Sequence, residues 1–193
     1  MSGVTGTQAE LLYSLNTAIT KNNYSTITAY TGAAGTNTVC QIPAGLLSIE
    51  NPNPVGRSLY MKAYGTIANT SAATFANAIN VNPTAGTSTG NITINTAYTP
   101  TAAITTGWFV EAWLTCTAFL TSTMTLQCNG NVTYMTVASG GAVSTAPSQQ
   151  IFNGTFTSLD PRVAQYVELF GTWSVANASN TTTVQQMFLW GLN

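Results

Sequence analysis

The sequence predicts an all-β protein, two antiparallel sheets packed as a sandwich of about eight strands with a short amino-terminal arm or helix. Three observations carry this. Thr, Val, Ile and aromatic residues fill the segments between turns, and these side chains suit a pleated, half-buried backbone. Clusters of Gly, Pro and Asn recur between those segments as turn signals. Several segments alternate apolar and polar residues with the period of a strand, not of a helix. At 193 residues the chain suits one core, here divided into an arm over residues 1–35 and a sandwich over residues 36–193.

Residues 8–19 form the one helical candidate, because Leu11, Leu15 and Ile19 recur every fourth residue. The same segment, with Leu12, also reads as an arm that docks on a partner. Residues 40–49 give a first strand, interrupted by Pro43 and Gly45 in the manner of an edge or bulge. Asn51-Pro52-Asn53-Pro54-Val55-Gly56 is a turn. Over residues 57–69, Leu59, Met61, Ala63, Gly65 and Ile67 share one face and Tyr60, Lys62, Tyr64 and Thr66 the other. Residues 75–81 and 92–94 give two shorter strands around a loop, and residues 98–106 a connection.

The next strand, residues 107–120, places Trp108, Val110, Ala112, Leu114, Cys116, Ala118 and Leu120 on a core face, against Phe109, Glu111, Trp113, Thr115, Thr117 and Phe119. A turn centred on Ser122 pairs it with residues 124–137, setting Leu120 opposite Met124, Ala118 opposite Leu126 and Cys116 opposite Cys128. Gly140-Gly141 is a turn, and residues 149–156 a strand. Ser158-Leu159-Asp160-Pro161-Arg162 turns the chain again. Over residues 163–175, Val167, Leu169, Gly171, Trp173 and Val175 oppose Tyr166, Glu168, Phe170 and Thr172. The last strand, residues 181–192, is apolar on both faces and reads as covered on both sides. Strands of this number, with irregular loops between them, favour a jelly roll over an immunoglobulin-like sandwich, whose Cys-Trp-Cys spacing is absent.

Composition narrows function. The chain has no histidine, four basic and five acidic residues, and a formal net charge of −1. Proton-transfer and metal chemistry draw on side chains that are nearly missing, so the expectation is a protein that is not an enzyme and has no cofactor or metal. Lys21, Arg57, Lys62 and Arg162 are too few and too scattered to follow a phosphate backbone, which argues against nucleic acid. No apolar run spans a bilayer, and the first residues lack a signal-peptide pattern, so synthesis in a cytoplasm is expected. Cys40, Cys116 and Cys128 read as buried thiols, with a cross-strand Cys116–Cys128 disulfide as the alternative. Glu111 and Glu168 are the one carboxylate pair that a glycosidase could use, each among aromatics.

A surface of Thr, Ser, Asn and Gln with little charge favours association. Tyr60, Lys62, Tyr64, Phe109, Glu111, Trp113, Tyr166, Glu168 and Phe170 are expected on the non-core side of strands that share one sheet. This aromatic set is read as an oligomer or partner interface, with a sugar-stacking platform as its competitor.

The run Glu168-Leu169-Phe170-Gly171-Thr172-Trp173-Ser174-Val175-Ala176-Asn177-Ala178-Ser179-Asn180-Thr181, closing on Leu189-Trp190-Gly191-Leu192-Asn193, resembles the ending of small virion proteins of tailed bacteriophages. Pro54-Val55-Gly56-Arg57-Ser58-Leu59 and Tyr64-Gly65 fit the same likeness. The resemblance implies a jelly-roll decoration or cement protein on the outer capsid surface, a homotrimer that clamps the major capsid protein. Leu11, Leu12, Leu15 and Ile19 would then form the capsid-docking arm. The alternative is a head-fibre, tail-tip or glycan-binding module.

Overall fold

The computed structural model describes residues 9–15, 17–30, 40–46, 55–69, 73–100, 105–135 and 147–192. Among these the protein is all-β: β1 (Ala9–Ser14), β2 (Ile19–Asn22), β3 (Thr28–Ala29), β4 (Gln41–Ile42), β5 (Ser58–Ala68), β6 (Phe75–Asn82), β7 (Ile92–Thr93), β8 (Thr105–Leu120), β9 (Thr123–Met135), β10 (Ser148–Leu159), β11 (Gln165–Trp173) and β12 (Thr181–Leu192). Sheet A has the order β1-β12-β5-β8-β9-β10, with β2 also on β12, and sheet B the order β3-β11-β6-β7, with β4 also on β11.

The order explains why about eight strands become twelve. β1 and β2 flank β12 end to end, and β3 and β4 flank β11 in the same way, so each pair fills one strand position. With β12, β5 and β8 in one layer and β11, β6 and β7 in the other, strands from both ends of the chain interleave as two Greek keys. This is the jelly-roll order. The β9–β10 hairpin then widens sheet A beyond β8.

Alternation builds the layers. Leu59, Met61, Ala63 and Ile67 of β5 and Trp108, Val110, Ala112, Leu114 and Cys116 of β8 are buried in one apolar core with Val167, Leu169 and Trp173 of β11. A polar chain crosses that core. Asn77 donates from Nδ2 to Tyr134 Oη at 2.9 Å, Tyr30 Oη lies 3.4 Å from Asn77 Oδ1, and Tyr24 joins Tyr30 to Thr182 Oγ1. It links β6 of sheet B to β9 and β12 of sheet A. Tyr134→Phe keeps the shape but strips Asn77 of its acceptor, so a loss of about 1–3 kcal/mol is expected, read from the urea midpoint.

Four expectations change. The described part of residues 8–19 forms strand and bend, not helix: β1 and β2 pair with β12, with a bulge between Leu11 and Tyr13. The fourfold spacing also fits two short strands broken by a bend, and an open edge of β12 supplies backbone partners that an isolated turn of helix lacks. Of the proposed arm residues, Leu15 is buried and Leu12 and Ile19 pack against the core, whereas Leu11 is 53% exposed. The described part of residues 1–35 is thus built into the sandwich.

The hairpin register also shifts. Cys116 faces Leu126, Leu114 faces Cys128, and a bulge between Cys116 and Ala118 reverses the faces beyond it. Leu120 is consequently exposed and Phe119 turns toward the core. All three thiols are buried and free. The strand expected over residues 40–49 shortens to β4, with a turn at residues 44–46. Finally, Tyr166, Glu168 and Phe170 do not share a sheet with the other six aromatic-face residues, because the jelly-roll order puts β11 in sheet B and β5 and β8 in sheet A. Residues 51–54 of the Asn51–Gly56 turn, the Gly140-Gly141 turn, and residues 1–8 and 47–50 lie outside the described residues.

Candidate recognition face

The outer side of sheet A is made by the strand residues that alternate with the core set. Register places Trp190, Tyr60, Trp113 and Asn129 in one cross-strand row, with Asn153 beyond them on β10. The next row holds Phe188, Lys62, Glu111, Asn131 and Ile151. A third holds Gln186, Tyr64, Phe109, Thr133 and Gln149. The rings do not merely share a face. Tyr60 lies 5.1 Å from Trp113 and 5.4 Å from Trp190, and Phe188 lies 5.3 Å from Trp190, with interplanar angles of 34°, 25° and 26°. Four rings across β8, β5 and β12 thus form one ladder of tilted, near-parallel faces. Tyr64 and Phe109 stack separately at 4.9 Å. Each such pair adds about 0.5–1.5 kcal/mol beyond its area, so the ladder is held in place before anything binds.

Lys62 and Glu111 sit in the middle of the face, 3.3 Å apart. Tyr60 Oη donates to Glu111 Oε1 at 2.5 Å, and the Lys62 ammonium lies 5.2 Å from the Phe109 centroid. Partial burial works against the Glu111 charge, but the hydrogen bonds from Tyr60 and Lys62 prevail and hold its carboxyl below the usual range. The Lys62 ammonium is pushed upward, first by its bond to the Tyr64 hydroxyl and then by Glu111. Both charges persist at neutral pH, and each neutralises the other locally. The face therefore presents rings and amides with almost no net field.

Tyr60, Lys62, Tyr64, Phe109, Glu111 and Trp113 are brought together as the sequence suggested. Glu168 serves elsewhere: its carboxylate accepts from Gly86 N at 2.8 and 3.0 Å, and Asn80 opposite it donates to the Thr87 and Thr89 carbonyls. The two side chains fasten the β6–β7 loop over sheet B, and Phe170 beside them is buried. Tyr166 is half-buried on the same strand. Glu111 and Glu168 lie on strands of different sheets and project from opposite non-core sides, with the sandwich between them. Packed sheets stand about 10 Å apart before side-chain length is added, so the pair cannot flank one glycosidic bond.

Sequence reasoning missed Phe188 and Trp190. Both faces of β12 are apolar, and a bulge between Val184 and Gln186 resets the alternation, so nothing local says which set faces out. Burial of Met187 and Leu189 in the core decides it, which leaves Phe188 and Trp190 on the outer face. Among the described residues no group of three or more His, Cys, Asp or Glu could hold a metal ion.

No family model matches the chain, and no curated protein matches it. Among solved structures it is similar to the CBM2 module of the evolved Dit of Lactobacillus casei BL23 phage J-1, at 10% identity over 97% of each chain with a TM-score of 0.33. A likeness at that level assigns neither family nor function.

Proposed function

We propose that this protein is a non-enzymatic recognition module of a phage virion that binds an extended saccharide across the outer face of sheet A. The observation that carries the reading is the ladder of Trp113, Tyr60, Trp190 and Phe188. Strand pairing sets Trp113, Tyr60 and Trp190 side by side on three adjacent strands, and Phe188 extends the row along β12, so the rings form a continuous apolar strip. The C–H face of a sugar ring packs on an aromatic face, and the bordering Asn129, Asn131, Asn153, Gln149 and Gln186 offer amide donors and acceptors for hydroxyls. A neutral polymer also suits a face whose two charges cancel. The virion setting rests on the likeness of the carboxyl-terminal strands to small phage virion proteins.

Capsid decoration by a homotrimer is the second reading, favoured by the uncharged surface. Its docking arm is weakened, because Leu12, Leu15 and Ile19 are directed into the protein's own core. A glycan array and affinity electrophoresis in neutral polysaccharide separate the two. Retardation by one glycan class is expected, with no turnover of that glycan. Trp113→Ala, which removes a residue already 39% exposed, should raise Kd about 30-fold, as for a central aromatic anchor, with the fold retained by circular dichroism despite the loss of about 0.5–1.5 kcal/mol of stacking on Tyr60. No glycan retained, together with co-sedimentation on purified capsids, would replace this reading with decoration.

A further inference from the structure

We infer that the free edge of β10 is a self-association surface, and that two copies of this chain join their sheets there in an antiparallel pair centred on Ile151. The case begins with the contrast between edges. β3, β4 and β7 are two residues long. β1 carries Glu10 and a bulge, β2 carries Lys21, and a bend separates them. These are the usual guards against strand addition. β10 carries no charge, and its one irregularity lies at the carboxyl end, between Phe156 and Leu159, away from Ile151. It runs for 12 residues, from Ser148 to Leu159, without Lys, Arg, Asp, Glu or Pro. It stays in unbroken register with β9 from Ser148 to Phe156. Among the described residues, β9 is its only strand neighbour.

The strand is firmly seated. Phe152 and Phe156 are buried, and Gly154 lies so close to Ile92 that a Cβ would meet the isoleucine at 2.7 Å. What remains outward is Gln149, Ile151, Asn153 and Thr155, with Ile151 84% exposed, the largest value among the exposed large hydrophobics. Half of the backbone N–H and C=O groups of such a strand point away from β9 and seek partners.

A second copy is the occupant that the strand's own sequence fits. Antiparallel pairing about Ile151 sets it beside Ile151 of the partner subunit and sets Gln149 opposite Asn153 of the partner subunit, an apolar pair flanked by amide pairs. With no charge on either strand, nothing repels. Directly opposed residues share a face, so the two ring ladders would lie on the same side of one continuous sheet, which makes the assembly bivalent for any polymer the face binds. The pairing does not depend on what that ligand is.

The test uses the full chain. Light scattering on the wild type should give twice the 20.2 kDa chain mass. Ile151→Lys and Ile151→Glu each oppose like charges across the two-fold, so each alone should be monomeric, and an equimolar mixture should return to the dimer mass. Hydrogen exchange on the wild type should show slow amides along β10 beyond those bonded to β9. A monomeric wild type, a dimer or trimer unmoved by Ile151→Lys, monomers that do not recombine on mixing, or fast exchange at the outward amides would each overturn the inference.

Discussion

Gly65→Ala is expected to cost about 3 kcal/mol or more and to leave little folded protein in mild urea. Gly65 sits mid-β5, between Val184 of β12 and Trp108 of β8. A Cβ there would overlap the Thr183 carbonyl on one side and the Trp108 ring on the other. Neither can yield easily. The carbonyl belongs to the ladder of β12, and the indole is 1% exposed, fixed in the core between the sheets. Domains of this kind hold only about 5–15 kcal/mol in total, so one such clash is a large fraction. Gly107→Ala is the matched control. It lies beside Trp108 in sequence but on the outer face, where the nearest atom to a new Cβ is Met135 at 3.6 Å. With space available, alanine there should be neutral or stabilise by up to about 1 kcal/mol by restricting the unfolded chain. Urea midpoints of the two variants give the comparison, and equal midpoints would remove the indole from its proposed role.

The second large effect is a one-sided dependence on pH. Tyr24, Tyr30 and Tyr134 are raised from the ordinary value of 10.0, each chiefly by burial. Tyr13 is pushed up to about 12 by burial and then by Cys40. Among the thiols, burial raises Cys40 and Cys116 from 9.0 and takes Cys128 to about 12. All these groups are neutral when protonated, and the folded state holds their protons more tightly than the unfolded chain does. Well below pH 9 both states are protonated and the groups give no slope. From about 9 upward the unfolded chain loses protons first, so stability falls with rising pH and keeps falling to about 12.

The acid side has little to titrate. Histidine is absent, and among the described residues Glu111 and Asp160 are held below their ordinary values. The Arg162 side chain and backbone N–H hold Asp160 at about 2, but this pair is on the surface and contributes little. Stability from these two is complete above their ordinary values and is lost as pH falls through the lowered ones. Thermal melts by circular dichroism should therefore be nearly flat from pH 5 to 8 and decline steeply above pH 10. A symmetric profile would show that the buried phenols and thiols are not coupled to folding.

The sequence determined the period of the strands, the inward rows of β5 and β8, the burial of the thiols and the outward set Tyr60, Lys62, Tyr64, Phe109, Glu111 and Trp113. Each follows from alternation along one strand, where a residue's neighbours two places away report its face. The tertiary structure decided everything that depends on another strand. It placed β11 in sheet B, so Glu168 became a loop fastener. It also brought Phe188 and Trp190 beside Tyr60. Bulges in β8 and β12 are single-residue events that reverse every face beyond them, and their position is set by the fit between neighbouring strands. Residues 8–19 show the same limit: the spacing of Leu11, Leu15 and Ile19 suits a helix as well as two strands, and only the open edge of β12, contributed by the far end of the chain, selects between them.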